Sequence, residues 1–202
     1  MPTRPLARFA ALAMIFAAVL LPTATVRAGE FPDDWFWGEG NVRTRHEAMV
    51  GHPAPPLSIK QWHGDAVSIA ELKGKVVVVD LWATWCGPCM RAIPENVAMV
   101  TELGEKGLVV VGVHDSKRGL ERLPQVLKDK GINYAVGVDD AGKTARSYRL
   151  AFWPTYAVID RKGDVRAVGL QPQHVRKVVT KLLAEPAPDE AAPKAPASPA
   201  HE

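Results

Sequence analysis

Cysteine is scarce in this 202-residue chain, which has two, Cys86 and Cys89. A C-x-x-C can be half of a zinc site, but no second cysteine pair supplies the other half. The pair also makes a poor structural staple, since closing so short a loop constrains the unfolded chain by only about 2 kcal/mol. Long apolar runs are lacking too. Phe9 to Leu21 spans thirteen residues, short of the roughly 20 needed to cross a bilayer. Net charge is the third absence. Without Arg4, Arg8 and Arg27, the 25 basic residues fall to 22, matching 22 acidic ones. No basic patch remains to suggest nucleic acid, and charge points to no other partner.

The two ends read as separable from the folded part. Arg4 and Arg8, the apolar run and Val26-Arg27-Ala28 form the pattern of a Sec signal peptide over residues 1–28, cleaved after Ala28. Retention as an N-terminal membrane anchor is the alternative. No arginine pair marks a Tat signal, and no cysteine follows the run to mark a lipoprotein. Residues 185–202 are rich in proline and alanine with almost no large apolar side chain, which predicts a disordered tail. Between them lie an N-terminal extension, 29–49, with the aromatic cluster Trp35-Phe36-Trp37, and one domain, 50–184.

The domain is organised around Asp80-Leu81-Trp82-Ala83-Thr84-Trp85-Cys86-Gly87-Pro88-Cys89. Val76 to Val79 is continuously apolar and β-branched, as expected of a strand buried on both faces. It delivers the cysteines to the start of a helix reaching Leu103, with Pro94 inside it as an expected kink. A half-exposed thiol there is more acidic than a free one, because unpaired N–H groups at the helix start favour thiolate. Leu57–Ile59 and Ala66–Ile69 flank a Gly-Asp turn and read as a hairpin. Strands over 108–113, 134–138, 155–159 and 165–168 alternate with helices over 120–130, 143–150 and 172–184. The order predicts an α/β fold: a central mixed β-sheet flanked by helices and closed by an antiparallel hairpin.

Asp80 stands six residues before Cys86, Pro94 five after Cys89, and Pro154-Thr155 opens a later strand. With Trp85-Cys86-Gly87-Pro88-Cys89 this resembles the thioredoxin pattern. Val50-Gly51-His52-Pro53-Ala54-Pro55, an α/β insertion near 114–140, and Ile159-Asp160-Arg161-Lys162-Gly163 make it look like the TlpA/ResA-like (redoxin) branch. The resemblance covers about residues 50–184. It implies a thioredoxin fold with an N-terminal β-hairpin extension and a central insertion. It also implies a redox-active disulfide in which Cys86 attacks substrate, Cys89 resolves the mixed disulfide, and Asp80 takes the Cys89 proton. Trp85, Gly87, Pro88, Trp153 and a cis-Pro154 would shape the substrate surface, with no metal and no cofactor. Trp153 is bulkier than the small or β-branched residue usual before that proline, which predicts narrowed access to Cys86.

The expected activity is thiol:disulfide exchange on exported proteins, in the periplasm or otherwise outside the cytoplasmic membrane. The resemblance implies reduction of protein disulfides, for example in cytochrome c maturation. It further implies recharging by a membrane thiol conduit of CcdA/DsbD type, and a monomer. Two other readings stand beside it. A peroxiredoxin-type peroxidase would need a threonine three residues before its cysteine, where this chain has Ala83. A copper chaperone would add a histidine to Cys86 and Cys89, with His114 the candidate.

Overall fold

A computed structural model describes residues 29–187; the expected signal peptide and all but the first three residues of the expected tail lie outside them. Six strands form one mixed sheet in the order β1-β4-β3-β2-β5-β6. They are β1 (Ile59–His63), β2 (Val76–Trp82), β3 (Leu108–His114), β4 (Ala135–Asp139), β5 (Thr155–Ile159) and β6 (Val165–Leu170). Strands β2, β3 and β4 run parallel; β1, β5 and β6 are antiparallel to their neighbours. The helices are α1 (Asn41–Glu47), α2 (Gly87–Leu103), α3 (Leu123–Asp129), α4 (Lys143–Ser147) and α5 (Pro172–Leu183). Segment 114–140 does contribute a helix and a strand, and β4 enters the sheet between β1 and β3.

Every residue of β2 is buried. Successive side chains of a strand point to opposite faces, and the core divides accordingly. Val76 and Val78 pack with Met99 of α2 and with Val175, Val178, Val179 and Leu182 of α5. Val77, Val79 and Leu81 pack on the other face with Tyr148 beside α4. Asp80 shares the face of Val78 and Trp82, the side covered by α2. The buried residues of α5 follow helical spacing, and Pro172 opens it where a missing N–H costs nothing. Helix α2 runs unbroken through Pro94.

The expected N-terminal hairpin does not form. β1 pairs antiparallel with β4, and Ala66–Ile69 gives way to a 3-10 turn, Ile69–Leu72, that buries Ile69. Two such short runs paired only with each other would leave both outer rows of backbone groups unpaired, whereas β4 offers β1 a strand already embedded in the sheet. Ile59 lies so close over Gly137 that a Cβ there would sit 2.7 Å from its side chain.

The N-terminal extension instead covers the far edge. Trp37 N–H donates to the Gly169 carbonyl at 2.9 Å and Gln171 N–H to the Trp35 carbonyl at 2.9 Å, with a bridge between Phe36 and Leu170. Farther along, Gly51 N–H bonds the Val165 carbonyl at 2.8 Å and Ala54 N–H the Gly163 carbonyl at 2.9 Å. The outer side of β6, a template for association if bare, is thus occupied by residues 35–54 of the same chain. His46 of α1 is fully buried and packs on Gly169, where a Cβ would approach its ring to 2.5 Å.

One buried cation ties this arrangement together. Arg166 of β6 bonds both Glu30 oxygens at 2.6 Å, Glu185 at 2.8 Å and Asp160 at 3.4 Å. Glu185, expected to begin the tail, is therefore anchored to the domain. Removing one member of a buried ionic group leaves the others uncompensated, at a cost of about 3–5 kcal/mol. Arg166→Ala should lower unfolding free energy in urea by about that amount and expose the Glu30–Trp37 segment to proteolysis. Unchanged stability and cleavage would show that Arg166 does not hold the extension.

Candidate redox site

Cys86 and Cys89 are joined as a disulfide at the start of α2, with Cys86 as N-cap and Pro88 in the first turn. The Cys89 N–H donates to Cys86 Sγ at 3.2 Å. A sulfur held against free N–H groups at the positive end of a 17-residue helix is stabilised as thiolate once reduced. Gly87 and Pro88 are exposed. The sulfurs are not: Cys86 is 4% and Cys89 2% accessible, which corrects the expectation of a half-exposed Cys86. Trp85 and Trp153 pack against the cysteine cluster, edge to face with centroids 5.8 Å apart. The Trp153–Pro154 bond is cis and Pro154 is buried. The structure thus brings Cys86, Cys89, Trp85 and Trp153 into one cluster.

The loop before the cysteines is braced by the segment that follows β3. The Thr84 N–H donates to His114 Nε2 at 2.9 Å, while His114 Nδ1 donates to the Asp115 carbonyl at 2.9 Å. One ring nitrogen accepts and the other donates, so the imidazole is neutral. Burial lowers its pKa in the same direction, against the opposing pull of Asp115 and Glu121. Thr84 Oγ1 donates to the Gly119 carbonyl at 2.8 Å, and Trp85 Nε1 to Asp115 Oδ2 at 3.1 Å. The Arg118 guanidinium lies 4.4 Å above the Trp85 ring. Gly119 adopts φ +78°, and a Cβ there would sit 2.1 Å from Thr84 Oγ1. Only glycine allows the two loops to close in this way.

Asp80 is 2% accessible, and Asn96 of α2 donates from Nδ2 to its Oδ2 at 2.9 Å. The same amide donates to the Tyr156 hydroxyl at 3.1 Å, from the strand residue paired with Asp80. Asp80 Oδ1 has no hydrogen-bond partner among the described residues. Burial pushes its pKa up to about 7, because the charged form is poorly solvated, while Tyr156 and Asn96 oppose the rise. No hydrogen bond joins Asp80 to either sulfur among the described residues. Sequence reading missed Asn96: a single asparagine on a helix carries no signal until the strand it faces is known. Arg118, stacked on Trp85, was equally invisible.

Asp80 keeps its proton in the folded protein to about pH 7, whereas an unfolded chain releases it near roughly pH 4. Between those values the folded state holds the extra proton, so stability falls as pH rises, by at most about 1.4 kcal/mol per pH unit. Above pH 7 the penalty is complete and constant. Urea unfolding from pH 4 to 8 should show this decline in the parent protein and a flatter profile in Asp80→Asn. Parallel profiles would rule out the raised pKa.

Comparisons with known proteins find relatives of this chain. DipZ from Mycobacterium bovis is 37% identical over 106 residues, which are 50% of this chain and 15% of that protein. The chain therefore spans only a small part of DipZ. The thiol-disulfide oxidoreductase ResA from Bacillus thuringiensis is 24% identical over 127 residues, covering 63% of this chain and 73% of ResA. Among solved structures, a thiol:disulfide interchange protein of the thioredoxin family from Chlorobium tepidum superposes with TM-score 0.56 at 28% identity, over 65% of this chain and 96% of that one. The fold is thioredoxin-like. A family model matches residues 50–168, from the entry segment through most of β6 and including both cysteines, so the chain belongs to the AhpC/TSA family.

Proposed function

We propose that this protein is a thiol:disulfide oxidoreductase that reduces disulfides of other proteins through Cys86 and Cys89. The observation that carries this reading is the cysteine pair at the start of α2, behind which a carboxyl group with a pKa of about 7 is buried in the strand that delivers them. The names of ResA and of the Chlorobium tepidum structure agree with it.

In the reduced protein, Cys86 attacks as thiolate, forming a bond to one substrate sulfur and expelling the other as thiolate. Cys89 loses its proton to Asp80 and attacks Cys86 Sγ. The mixed disulfide breaks, the Cys86–Cys89 bond forms, and the substrate leaves carrying two electrons as a dithiol. Asp80 suits this general-base step because its pKa is close to neutrality. Trp85, Gly87, Pro88, Trp153 and Pro154 form the surface the substrate meets. Electrons return from a membrane thiol conduit of CcdA/DsbD type. The site of action is extracytoplasmic, supported by the signal-like pattern of residues 1–28. One substrate class is the haem-binding cysteine pair of an apocytochrome c.

The alternatives fit less well. A peroxidase hydroxyl is missing at Ala83, and the Thr84 hydroxyl is committed to the Gly119 carbonyl. His114 has no nitrogen to offer copper, since one accepts from Thr84 and the other donates to Asp115.

Cys89→Ser should stall the reaction as a mixed disulfide on Cys86, visible by mass spectrometry after mixing with a disulfide-bonded protein. Cys86→Ser should give none. In the parent protein, resolution of that intermediate should show an inflection near pH 7; Asp80→Asn should abolish it and slow resolution by about 10²-fold. Absence of a Cys86 adduct would sink the redox reading, whereas an unaltered profile in Asp80→Asn would remove only the role of Asp80. For the covered sulfur, Trp153→Thr should speed the first attack on a protein disulfide, measured by stopped flow. An unchanged rate would show that Trp153 does not limit access to Cys86.

A further inference from the structure

The aromatic N-terminal extension is used neither by the chemistry nor by the brace, yet it is carried to the mouth of the site. Trp37 is half-buried, fixed by its N–H bond to Gly169 and by edge-on packing against Phe152 at 5.7 Å. It forms one wall of an open groove of about 510 Å³, a size within the roughly 300–1,000 Å³ of ligand pockets. The opposing residues are Pro88 of the cysteine motif, Arg91 and Ala92 of α2, and Pro172 and Gln173 at the start of α5. The groove is therefore continuous with the exposed corner of the redox motif.

Its rigidity and charge indicate what would occupy it. Two prolines and a backbone-tethered tryptophan present apolar surface that loses little conformational freedom on contact. Two charged side chains line the groove, Arg91 and Glu95. Glu95 is paired with Arg176 of α5, a guanidinium it shares with Glu102. Arg91 is exposed, lies beside Gly87, and has no ion-pair partner among the described residues. Of the two, Arg91 is thus the one left without an ion-pair partner among the described residues, a guanidinium beside Gly87 whose planar fork matches a carboxylate.

We propose that the groove between Trp37, Arg91 and Pro172 docks an extended, acidic polypeptide segment flanking the disulfide of the partner protein. The inference rests on the redox reading for the identity of the partner but not for the contact itself. A carboxylate of the segment pairs with Arg91, and an apolar side chain beside it sits between Trp37 and Pro172. The extension thereby contributes substrate selection to a site whose chemistry lies in the domain.

The contact is tested with the full-length oxidised protein and two cysteine-free peptides of equal length, one Glu-rich and one Lys-rich, each with a single leucine. Titration followed by ¹H–¹⁵N NMR should give saturable shifts for the Glu-rich peptide, centred on the Trp37 indole and the Ala92 and Gln173 amides. Arg91→Glu, an exposed change, should weaken that peptide at least about tenfold and favour the Lys-rich one. Trp37→Ala should weaken both. No saturable shifts, shifts centred elsewhere, or an unchanged peptide preference in Arg91→Glu would overturn the docking site. So would the same shifts produced by raising protein concentration alone, which would assign the groove to a second copy of the chain. Peptide binding needs no turnover, so docking can fail while the Cys86 adduct forms, or hold while it does not.

Discussion

A carboxyl group in a strand covered on both faces is the constraint around which the site is built. All seven residues of β2 are buried, and Asp80 is the only one of them with an ionisable side chain. Water cannot stabilise its charge there, so its protonation state is set by what α2 and β5 bring to it. They bring the Asn96 amide and the Tyr156 hydroxyl, both polar and neither charged. The result is a group poised between forms near neutrality rather than locked in one. A lysine or arginine in place of Asn96 would hold the carboxylate ionised, and a fully apolar neighbour would hold it protonated more firmly still.

The same strand delivers the cysteines, but it does not fix them alone. Between Trp82 and Cys86 the chain leaves the sheet, and the Thr84 N–H is taken by a neutral histidine from the adjacent strand. His114, Asp115 and Gly119 together hold Thr84 and Trp85, so the loop after β3 acts as a rigid support for the motif. Because His114 must remain neutral to accept that bond, burial that lowers its pKa maintains the support instead of weakening it. The histidine that invited a metal role in the sequence is consumed by backbone support.

What could be read from the sequence was what depends on neighbouring residues. The valine run of β2, the helix after Cys86 and the turn at Asp160–Gly163 are local patterns, and the structure contains all three. The cysteine spacing, Asp80 and Pro154 were recognisable because their positions relative to one another form a pattern. Features that depend on distant pairing were not legible. β1 was matched with the nearest apolar run, whereas its partner lies more than seventy residues away in β4. Asn96 becomes informative only when α2 is laid across β2. The extension resisted reading for the same reason: Trp35-Phe36-Trp37 has no evident purpose until β6 proves to be the edge that it pairs with.

Membership of the AhpC/TSA family does not by itself choose between peroxide and disulfide chemistry, because one fold hosts several reactions. The choice rests on what surrounds the sulfur. A peroxide is small and needs hydroxyl and cationic groups converging on its oxygens; a protein disulfide is large and needs an accessible surface beside the thiol. Around Cys86 the structure has an apolar Ala83, two tryptophans and an exposed Gly-Pro corner that opens onto the groove walled by Trp37. The nearest hydroxyl in sequence, that of Thr84, points its proton at Gly119. Arg91 and Arg118 stand nearby, beside Gly87 and on the Trp85 ring, but among the described residues no hydroxyl joins them at the sulfur. The tryptophans and the Gly-Pro corner instead offer broad, rigid contact to a polypeptide. The covered sulfur is consistent with the proposed reading, in which a partner protein's own surface meets Trp85 and Trp153 beside Cys86.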